Sequence, residues 1–489
     1  MLNKIKSLSP AVKSSIVYTL SNVISKGLVI LTTPIFAKIM LTEQIGVVNH
    51  YSSWYSIICV VASLSLTSGG YQVAMKEFSQ KRDQYQSSVL SLTSLVSFVF
   101  LIAFLVSPNF WSEVLQLPIV LIELMLFGFF VYPARDFWLA RQRYEYKYKL
   151  SGVVMIGSAL LASAFSVIAV LIANSNGFED TGIVRLLANY FVMYGVAAVL
   201  AISIFIKGKT FFNKKFWVFS LSLSLPLIVN SLATQVLNVS DRVMIRSLIG
   251  LREVGIYGTI YIVSSASQLI WSSINASFVP YLFENMDKPD KRKTIYTITN
   301  GFMIFYSGVA VFVTLLAPEI IRILATPEYL EAVHIMPPIA AGIFLISLSN
   351  MYTNILIYHK KTQFVMIATI IAASLNLVLN YFGIQFFGYM AAAYTTLIAY
   401  IVLALFQYIV SNNIHKKTCP EDHFPVYENG KILLIAGVSI CLCMACELLY
   451  GFNIIRYIVV LGIVVCAIIF RKRIIALFTS SRKRQNIDA

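Results

Sequence analysis

The sequence predicts an all-α polytopic membrane protein with about 14 transmembrane helices. Hydrophobic residues make up 58% of the 489 residues and charged residues only 12%, whereas an ordinary soluble chain has about 25% charged residues. The mean hydropathy is +0.77. The length alone would suggest about three soluble domains, but this composition excludes them.

Long apolar runs, interrupted by charges or turn residues, place the predicted helices. A hydrocarbon core about 30 Å thick needs about 20 mostly apolar residues per helix. The runs of that length are 14–39, 47–70, 87–107, 114–140, 151–173, 184–206, 216–245, 255–282, 294–317, 334–358, 363–383, 390–411, 431–450 and 453–470. Only the turn around Gly451 parts the last two runs, so their count is the least constrained.

The basic residues predict the orientation in the membrane. When the connections are numbered alternately, 29 of the 38 Lys and Arg residues fall on one side, from Lys4 to the tail at 471–484. By the positive-inside rule this side is cytoplasmic, so both termini are predicted to be cytoplasmic. The net charge of +16 is then explained by topology, and no nucleic-acid partner is expected.

The targeting and cysteine patterns are those of an integral membrane protein. The first apolar run is too long for a cleavable signal peptide and is taken as the first span.

Five of the six cysteines lie in predicted spans, so no disulfide framework is indicated. Cys441, Cys443 and Cys446 do not share one helix face, and no two histidines form a ligand spacing. We therefore predict no metal site and no cofactor.

The connecting loops exclude a soluble catalytic module. The longest external connection, about 318–333, and the longest cytoplasmic one, about 411–430, are too short for a folded domain. There is no Gly-rich phosphate loop and no His-Glu-x-x-His motif. An ATP-driven pump is disfavoured, and so is a glycan polymerase, which is expected to carry catalytic residues on a large external loop. The sequence predicts transport or flipping rather than an enzyme.

A weak internal repeat divides the chain. A shift of 209 residues aligns Glu43-Gln44-Ile45-Gly46 with Arg252-Glu253-Val254-Gly255, after the first and the seventh span. The halves have an even number of spans, which makes the repeat parallel, a frequent transporter architecture with substrate sites between the halves. We predict an N-lobe at 1–208, a C-lobe at 209–412, and a linker, a terminal helix pair and a basic tail at 413–489.

Polar residues at helical spacing give four spans in equivalent places a polar face. Such a face must contact protein or water in the membrane, so helix packing and a water-filled cavity are the two alternatives. We favour the cavity for the paired set. The stripes include Thr19, Asn22, Lys26 and Thr33 in the first span, Asn49, Tyr51 and Ser53 in the second, Asn238 and Asp241 in the seventh, and Tyr261, Gln268 and Asn275 in the eighth.

Lys26 is the most informative single residue. It lies near the middle of the first span, where a charged side chain costs about 3 kcal/mol on insertion scales. A local ion pair or snorkelling to the interface would satisfy it structurally. The functional alternative, which we favour, is a cationic spot for a negatively charged substrate.

Four other sets of charged residues fall within or beside predicted spans. Arg135-Asp136 and Asp241-Arg242 are adjacent opposite charges, and internal pairing is the simpler explanation of each. Substrate binding is the alternative for Arg135, Asp241 and Arg242. Glu123 and Glu447, with Asp241, are candidates for ion coupling.

One segment resembles a known family. Asn376-Leu377-Val378-Leu379-Asn380, Gly383-Ile384-Gln385 and Gly388-Tyr389-Met390-Ala391-Ala392-Ala393 closely resemble the eleventh-to-twelfth-helix segment of polysaccharide flippases of the Wzx type. These flippases belong to a superfamily that also holds MATE drug exporters and lipid II flippases. Asp241-Arg242-Val243-Met244-Ile245 and the two repeat copies are similar to the same family. Gln385 stands where the family often has a proline, which puts only the local turn in doubt.

The resemblance implies two six-helix lobes in a MATE-like V that opens alternately to each face. It implies movement of an undecaprenyl-diphosphate-linked oligosaccharide to the outer leaflet of a bacterial cytoplasmic (inner) membrane. This movement would supply units for capsule or O-antigen synthesis. The partners that the resemblance implies are membrane lipids and polysaccharide polymerase machinery. Lys26 would meet the diphosphate, while the Ser and Asn stripes, Tyr51 and Tyr261 would face the sugars. The energy source, a proton or sodium gradient or removal of the product, stays open.

Three further functions compete with this expectation. The first is an ion-coupled multidrug exporter, which should prefer buried carboxylates to a mid-span lysine. The second is a flippase for another lipid-linked cell-wall precursor. The third, from another class, is a membrane-embedded glycan polymerase, which the short loops oppose.

Overall fold

The computed structural model describes residues 10–67, 70–420, 424–469 and 471. Within them the chain is helical, without a β-strand, so the all-α fold class is confirmed. Lys4, Lys6, His423 and the tail beyond residue 471 lie outside the described residues. The α-helices are α1 Pro10–Ile39, α2 Thr42–Ala62, α3 Gly70–Glu77, α4 Arg82–Val106, α5 Pro108–Leu115, α6 Ile119–Tyr144, α7 Tyr148–Ser175, α8 Thr181–Gly208, α9 Lys214–Leu248, α10 Leu251–Ser265, α11 Gln268–Asn285, α12 Arg292–Leu315, α13 Ala317–Leu324, α14 Met336–Tyr358, α15 Thr362–Phe387, α16 Ala391–Thr418, α17 Asn429–Cys446 and α18 Asn453–Ile469. The 3₁₀ helices are Ser79–Lys81, Pro289–Lys291, Pro327–Ile335 and Glu447–Leu449.

Each predicted span matches helical structure, but the count of fourteen is not confirmed. Among the described residues, 11 helices are long and apolar enough to cross a membrane, or up to 12 if a bent pair is one span. The predicted eighth span is two helices, α10 and α11, because the helix breaks at Ala266 and Ser267. The predicted fourteenth span, α18, is a shorter apolar helix.

The bent pair consists of α5 and α6, which are inclined by 96°. Gln116, at the C-terminal end of α5, has the left-handed φ of 51°, and this conformation ends a helix. Pro118 follows before α6 begins. A proline two residues after such a cap cannot continue the preceding helix, so the chain turns at this point.

The chain divides into two compact units, Met1–Gly255 and Ile256–Ala489. In the first, α8 contacts α2, α4, α6 and α7, and α1 packs along α7. One core cluster of this unit joins Tyr71, Phe78, Tyr85, Phe137 and Phe216. The lobe boundaries at 208/209 and 412/413 stay predictions.

The second unit is organised around α14. Nearly all residues of α14 are buried, and α14 contacts α11, α12, α16 and α17. A helix that is apolar on all sides belongs in the centre of a bundle. α16 packs along α14 and also along α15, so these three helices form the framework that carries the polar groups of this unit.

Candidate functional site

The first candidate region is the polar face of α1. Tyr18 and Ser21 are buried, whereas Asn22 and Lys26 are exposed on an adjacent face. Among the described residues, the Lys26 ammonium has neither a hydrogen-bond nor an ion-pair partner. Thr19 is half-buried beside them, and buried Thr33 donates to the carbonyl of Val29 at 2.8 Å.

A second exposed face of α1 is apolar. Leu20 and Leu31 are 55% and 69% exposed. At 100° per residue they lie roughly 120–180° around the helix from Asn22 and Lys26. An exposed leucine face suits lipid, whereas a lysine in a span needs water or a counter-charge. The two exposed faces of α1 therefore have opposite solvent requirements.

The second region is a tyrosine cluster in the first unit, formed by α2, α6 and α8. The rings of Tyr51 and Tyr55 are 6.0 Å apart, and Tyr190 lies 5.5 Å from Tyr51 and 5.6 Å from Tyr55. Tyr132 meets Tyr55 edge-on at 6.4 Å, and Tyr194 lies 4.9 Å from Tyr190. Amphipathic rings of this kind combine apolar faces with hydroxyl groups.

Arg135 lies at the edge of this tyrosine cluster. Its guanidinium donates to the Tyr132 hydroxyl at 3.3 Å and lies 5.6 Å from the centre of that ring. Asp136 is 3.8 Å away, but its side chain is 42% exposed while that of Arg135 is only 12% exposed. The buried Nε of Arg135 has no hydrogen-bond partner among the described residues. The Arg135 guanidinium thus has an exposed carboxylate and a tyrosine as partners, and one of its buried donors has no acceptor among the described residues.

The remaining predicted residues of α2 have local structural partners. Asn49 donates to the carbonyl of Val254 at 3.5 Å, and Ser53 donates to the carbonyl of Asn49 at 2.8 Å. Tyr51 is fully buried in the tyrosine cluster. A substrate contact by these three residues stays a prediction for a conformation that exposes them.

Asp241 and Arg242 form a buried pair in α9. The Asp241 carboxylate accepts from the Arg242 backbone N–H at 2.8 Å and lies 3.6 Å from its guanidinium. The guanidinium also donates to the carbonyl of Asn238 at 3.0 Å. These charges are compensated within one helical turn, as adjacent opposite charges suggested.

In the second unit the predicted residues occupy α10 and α11. The Tyr261 hydroxyl lies 3.4 Å from that of Tyr400, and the Asn275 side-chain oxygen accepts from Asn354 at 3.0 Å. Gln268 is half-buried. Glu447 contacts His334 Nδ1 at 2.9 Å. Glu123, in the first unit, is exposed.

The site prediction did not include a polar network between α15 and α16. Asn380 donates to the oxygen of Asn376 at 3.0 Å, and Asn376 donates to Thr396 at 3.1 Å. Thr395 donates to Asn380, and both asparagines are fully buried. The signal was present as two asparagines four residues apart, which share a helix face.

One group of side chains has the composition of a metal site. His359, His415 and Cys419 each place a ligand atom within 4.8 Å of the others. The sequence prediction missed this group because His359 is 56 positions away from His415 along the chain.

Comparisons with known proteins agree with this architecture. The family model described as "Polysaccharide biosynthesis protein" matches residues 11–286, more than half of the chain, and the MatE model matches residues 226–382. An uncharacterized membrane protein of Methanocaldococcus jannaschii is 25% identical over 222 residues. The chain spans 44% of the length of that relative, and the match covers 44% of the chain.

Two solved structures show the same fold. The lipid II flippase MurJ, in an inward closed conformation, has a TM-score of 0.65 at 15% identity and covers 94% of this chain and 100% of its own. An inward-facing multidrug resistance MATE transporter of the MOP superfamily has a TM-score of 0.57 at 14% identity and covers 82% and 96%. The predicted family resemblance is confirmed. The chain therefore belongs to the polysaccharide biosynthesis protein family.

Proposed function

We propose that the protein flips undecaprenyl-diphosphate-linked oligosaccharide repeat units across a bacterial cytoplasmic membrane by alternating access. The units would be destined for a surface polysaccharide such as capsule or O-antigen, and both termini would be cytoplasmic. The family description, polysaccharide biosynthesis, supports this substrate class. Handing the flipped unit to polymerase machinery would complete the route.

The observation that carries the proposal is the environment of the Lys26 side chain. It is exposed on the polar face of α1, opposite the leucine face, and has no partner among the described residues. A cation in a span costs about 3 kcal/mol unless a counter-charge or water offsets it. The diphosphate is a suitable counter-charge because it is doubly anionic and presents several acceptor oxygens.

Arg135 provides a second cation for the same substrate class. Its unpartnered Nε and its contact with the tyrosine cluster combine a charge with aromatic rings, which suits a phosphate joined to sugars. Thr19 and Asn22 are candidate glycan contacts in the first unit, and Gln268, Asn275 and Tyr261 are candidate glycan contacts in the second unit. Asn49, Tyr51, Ser53 and Thr33, with Asn238, Asp241 and Arg242, would take part when conformational change exposes them.

Lipid-linked oligosaccharides in a deletion strain test this proposal. Loss of the protein should leave an unpolymerised, undecaprenyl-linked repeat unit on the cytoplasmic leaflet, measurable by mass spectrometry and by leaflet-selective glycan labelling. Normal surface polymer in the deletion strain would contradict the proposal.

Charge variants of α1 then locate the site. Lys26→Ala should lower surface glycan at native membrane levels of the protein, and Lys26→Arg should restore part of it. Lys38→Ala is the matched control, because Lys38 is an exposed lysine in the last turn of the same helix. Full export by Lys26→Ala would show that this lysine has a structural role only.

The MatE match at 226–382 favours a second candidate, an ion-coupled multidrug exporter. Proton or sodium coupling would then pass through acidic groups such as Glu123, Asp241 or Glu447. A deletion strain with normal polymer but raised drug sensitivity would favour this candidate. Accumulation of a different lipid-linked cell-wall precursor would instead identify a flippase for that precursor.

A further inference from the structure

Three potential metal ligands converge where α14 and α16 end. His359 is the residue directly after α14, His415 lies in the last turn of α16, and Cys419 directly follows α16. The Nε2 atom of His359 is 3.1 Å from the Nδ1 atom of His415. All three ligand atoms lie within 4.8 Å of one another.

The helix geometry holds two of these ligands on one face. His415 and Cys419 are four residues apart, the spacing that places side chains one above the other on a helix. The Cys419 backbone N–H donates to the carbonyl of His415 at 2.8 Å, so the helical turn continues to the cysteine. His415 is buried, and His359 and Cys419 are half-buried. The group is partly shielded from water yet accessible.

The distances fit a tetrahedral ion. Zn–N bonds of about 2.0–2.1 Å place two nitrogens of a tetrahedron about 3.3 Å apart, and a Zn–S bond of about 2.3 Å places the sulfur about 3.6 Å from each nitrogen. The nitrogens are already at this separation. A shift of about 1 Å or less, within the reach of one cysteine rotamer, closes the set.

The charges around the group also suit a divalent cation. Tyr358 donates to the carboxylate of Asp287, which places this carboxylate beside the residue that precedes His359. A thiolate and a carboxylate carry two negative charges, which match the charge of one divalent cation.

An entry path is present beside His415. A cavity of about 370 Å³ is lined by Asn412, His415, Lys416, Pro420 and Phe424, among others. This cavity borders the buried imidazole of His415 and so gives access to the group from one side. A zinc ion with three protein ligands can take water as its fourth ligand.

We propose that His359, His415 and Cys419 bind one Zn²⁺ ion that links the end of α14 to the end of α16. The ion takes Nε2 of His359, Nδ1 of His415 and the Cys419 thiolate. The thiol proton is released to solvent, and the proton of the present imidazole–imidazole hydrogen bond moves to the other nitrogen of its own ring. Two imidazoles and a thiolate are donors that Zn²⁺ prefers. The bound ion replaces a single imidazole–imidazole hydrogen bond with a rigid connection between the two most extensively paired helices of the second unit.

Zinc content and cobalt spectroscopy of the full-length protein test this site. The protein is purified in detergent, its affinity tag is removed, and metal is stripped with a chelator before Zn²⁺ is added. We expect one Zn²⁺ per chain and a higher melting temperature. With Co²⁺ in place of Zn²⁺ we expect a thiolate-to-cobalt charge-transfer absorption.

Variants separate this site from adventitious binding. Cys419→Ser should abolish the charge-transfer absorption and weaken Zn²⁺ binding at least about tenfold, and His415→Ala should do the same. His334→Ala and Cys441→Ser are matched controls, because these residues lie elsewhere in the second unit and are exposed or near the surface. Both controls should bind Zn²⁺ as the native protein does.

Two results would overturn the proposal. One is native protein that takes up no Zn²⁺ after stripping and reloading. The other is unchanged Zn²⁺ affinity in Cys419→Ser, which is the safer variant because Cys419 lies at a half-buried helix end. If His415→Ala fails to fold, Cys419→Ser and His359→Gln still decide the question.

Discussion

Gly46 and Gly255 occupy equivalent positions in the repeat, and each packs against a backbone carbonyl in the first turn of the other's helix. A Cβ atom on Gly46 would overlap the carbonyl oxygen of Leu251, and one on Gly255 would overlap that of Thr42. Thr42 and Leu251 are themselves related by the 209-residue shift. The contact is therefore reciprocal, and it explains why the short repeat motif keeps a glycine in both copies.

Alanine at either glycine should destabilise this contact. The obstructing atoms are backbone carbonyls, which cannot move aside as a flexible side chain can, and overpacking of this kind costs about 1–3 kcal/mol. We expect Gly46→Ala and Gly255→Ala each to lower the melting temperature in detergent. Gly157→Ala is the control, since a Cβ there meets nothing within 4 Å and alanine favours a helix by about 1 kcal/mol over glycine. Equal melting temperatures for Gly46→Ala and Gly157→Ala would refute the close contact.

The sequence predicts the helices well because the membrane demands long apolar runs. It does not predict the break at Ala266 and Ser267, because both residues are compatible with a continuous helix. The pairing of His359 with His415 is likewise hidden. These residues are 56 positions apart, and only the packing of α14 on α16 brings them together.

For the candidate site, periodicity places Lys26 on a polar face but cannot say which groups surround it. Adjacent opposite charges predict the local pairing of Asp241 with Arg242, because residues next to each other in a helix are held close together. The tyrosine cluster beside Arg135 is formed by residues of three helices, so no short sequence pattern encodes it.

The buried network of Asn376, Asn380 and Thr395 should contribute to stability. Asn380→Ala removes two hydrogen bonds, one to the Asn376 oxygen and one from the Thr395 hydroxyl, and hydrogen bonds between membrane helices average about 0.6 kcal/mol with a maximum near 1.7. We expect a lower melting temperature for Asn380→Ala and no change for Gln385→Ala, an exposed amide on the same helix. A double-mutant cycle with Thr395→Val should give a coupling energy of about 1 kcal/mol. Strict additivity would show that the two side chains do not interact.

Arg135 should act through its geometry as well as its charge. Lysine cannot reproduce a planar guanidinium that both donates to the Tyr132 hydroxyl and lies beside its ring. We expect Arg135→Lys to reduce glycan export about tenfold, a loss of one strong contact, and Tyr132→Phe to reduce it less because the ring remains. Lys149→Gln, which removes an exposed charge at the start of α7, should export normally. Full export by Arg135→Lys at equal protein levels would limit Arg135 to a charge-balancing role.

A network of charged side chains lies where α6 meets α7. Its contribution to the stability of the folded protein should be constant near neutral pH and should decrease in acid. Glu145 accepts from Arg141 Nε at 2.9 Å and from Lys147 at 2.6 Å, and Arg141 also contacts Asp83 at 2.5 Å. Burial raises the pKa of Glu145, but the hydrogen bonds from Lys147 and Arg141 outweigh it and lower the pKa below its ordinary value. The charged form is therefore favoured in the folded protein, and its stabilisation is complete at neutral pH and lost as the pH falls through the lowered pKa.

We expect Glu145→Gln to have a lower melting temperature than the native protein by a constant amount between pH 6 and 8, because the ordinary glutamate pKa is about 4.3. The difference should shrink in more acidic buffer, where Glu145 of the native protein becomes protonated and its contribution disappears. Glu113→Gln, at an exposed glutamate of α5, should match the native protein at every pH. Scanning fluorimetry in detergent measures all three proteins, and a difference that grows as the pH falls would contradict the stabilising role of the Glu145 carboxylate.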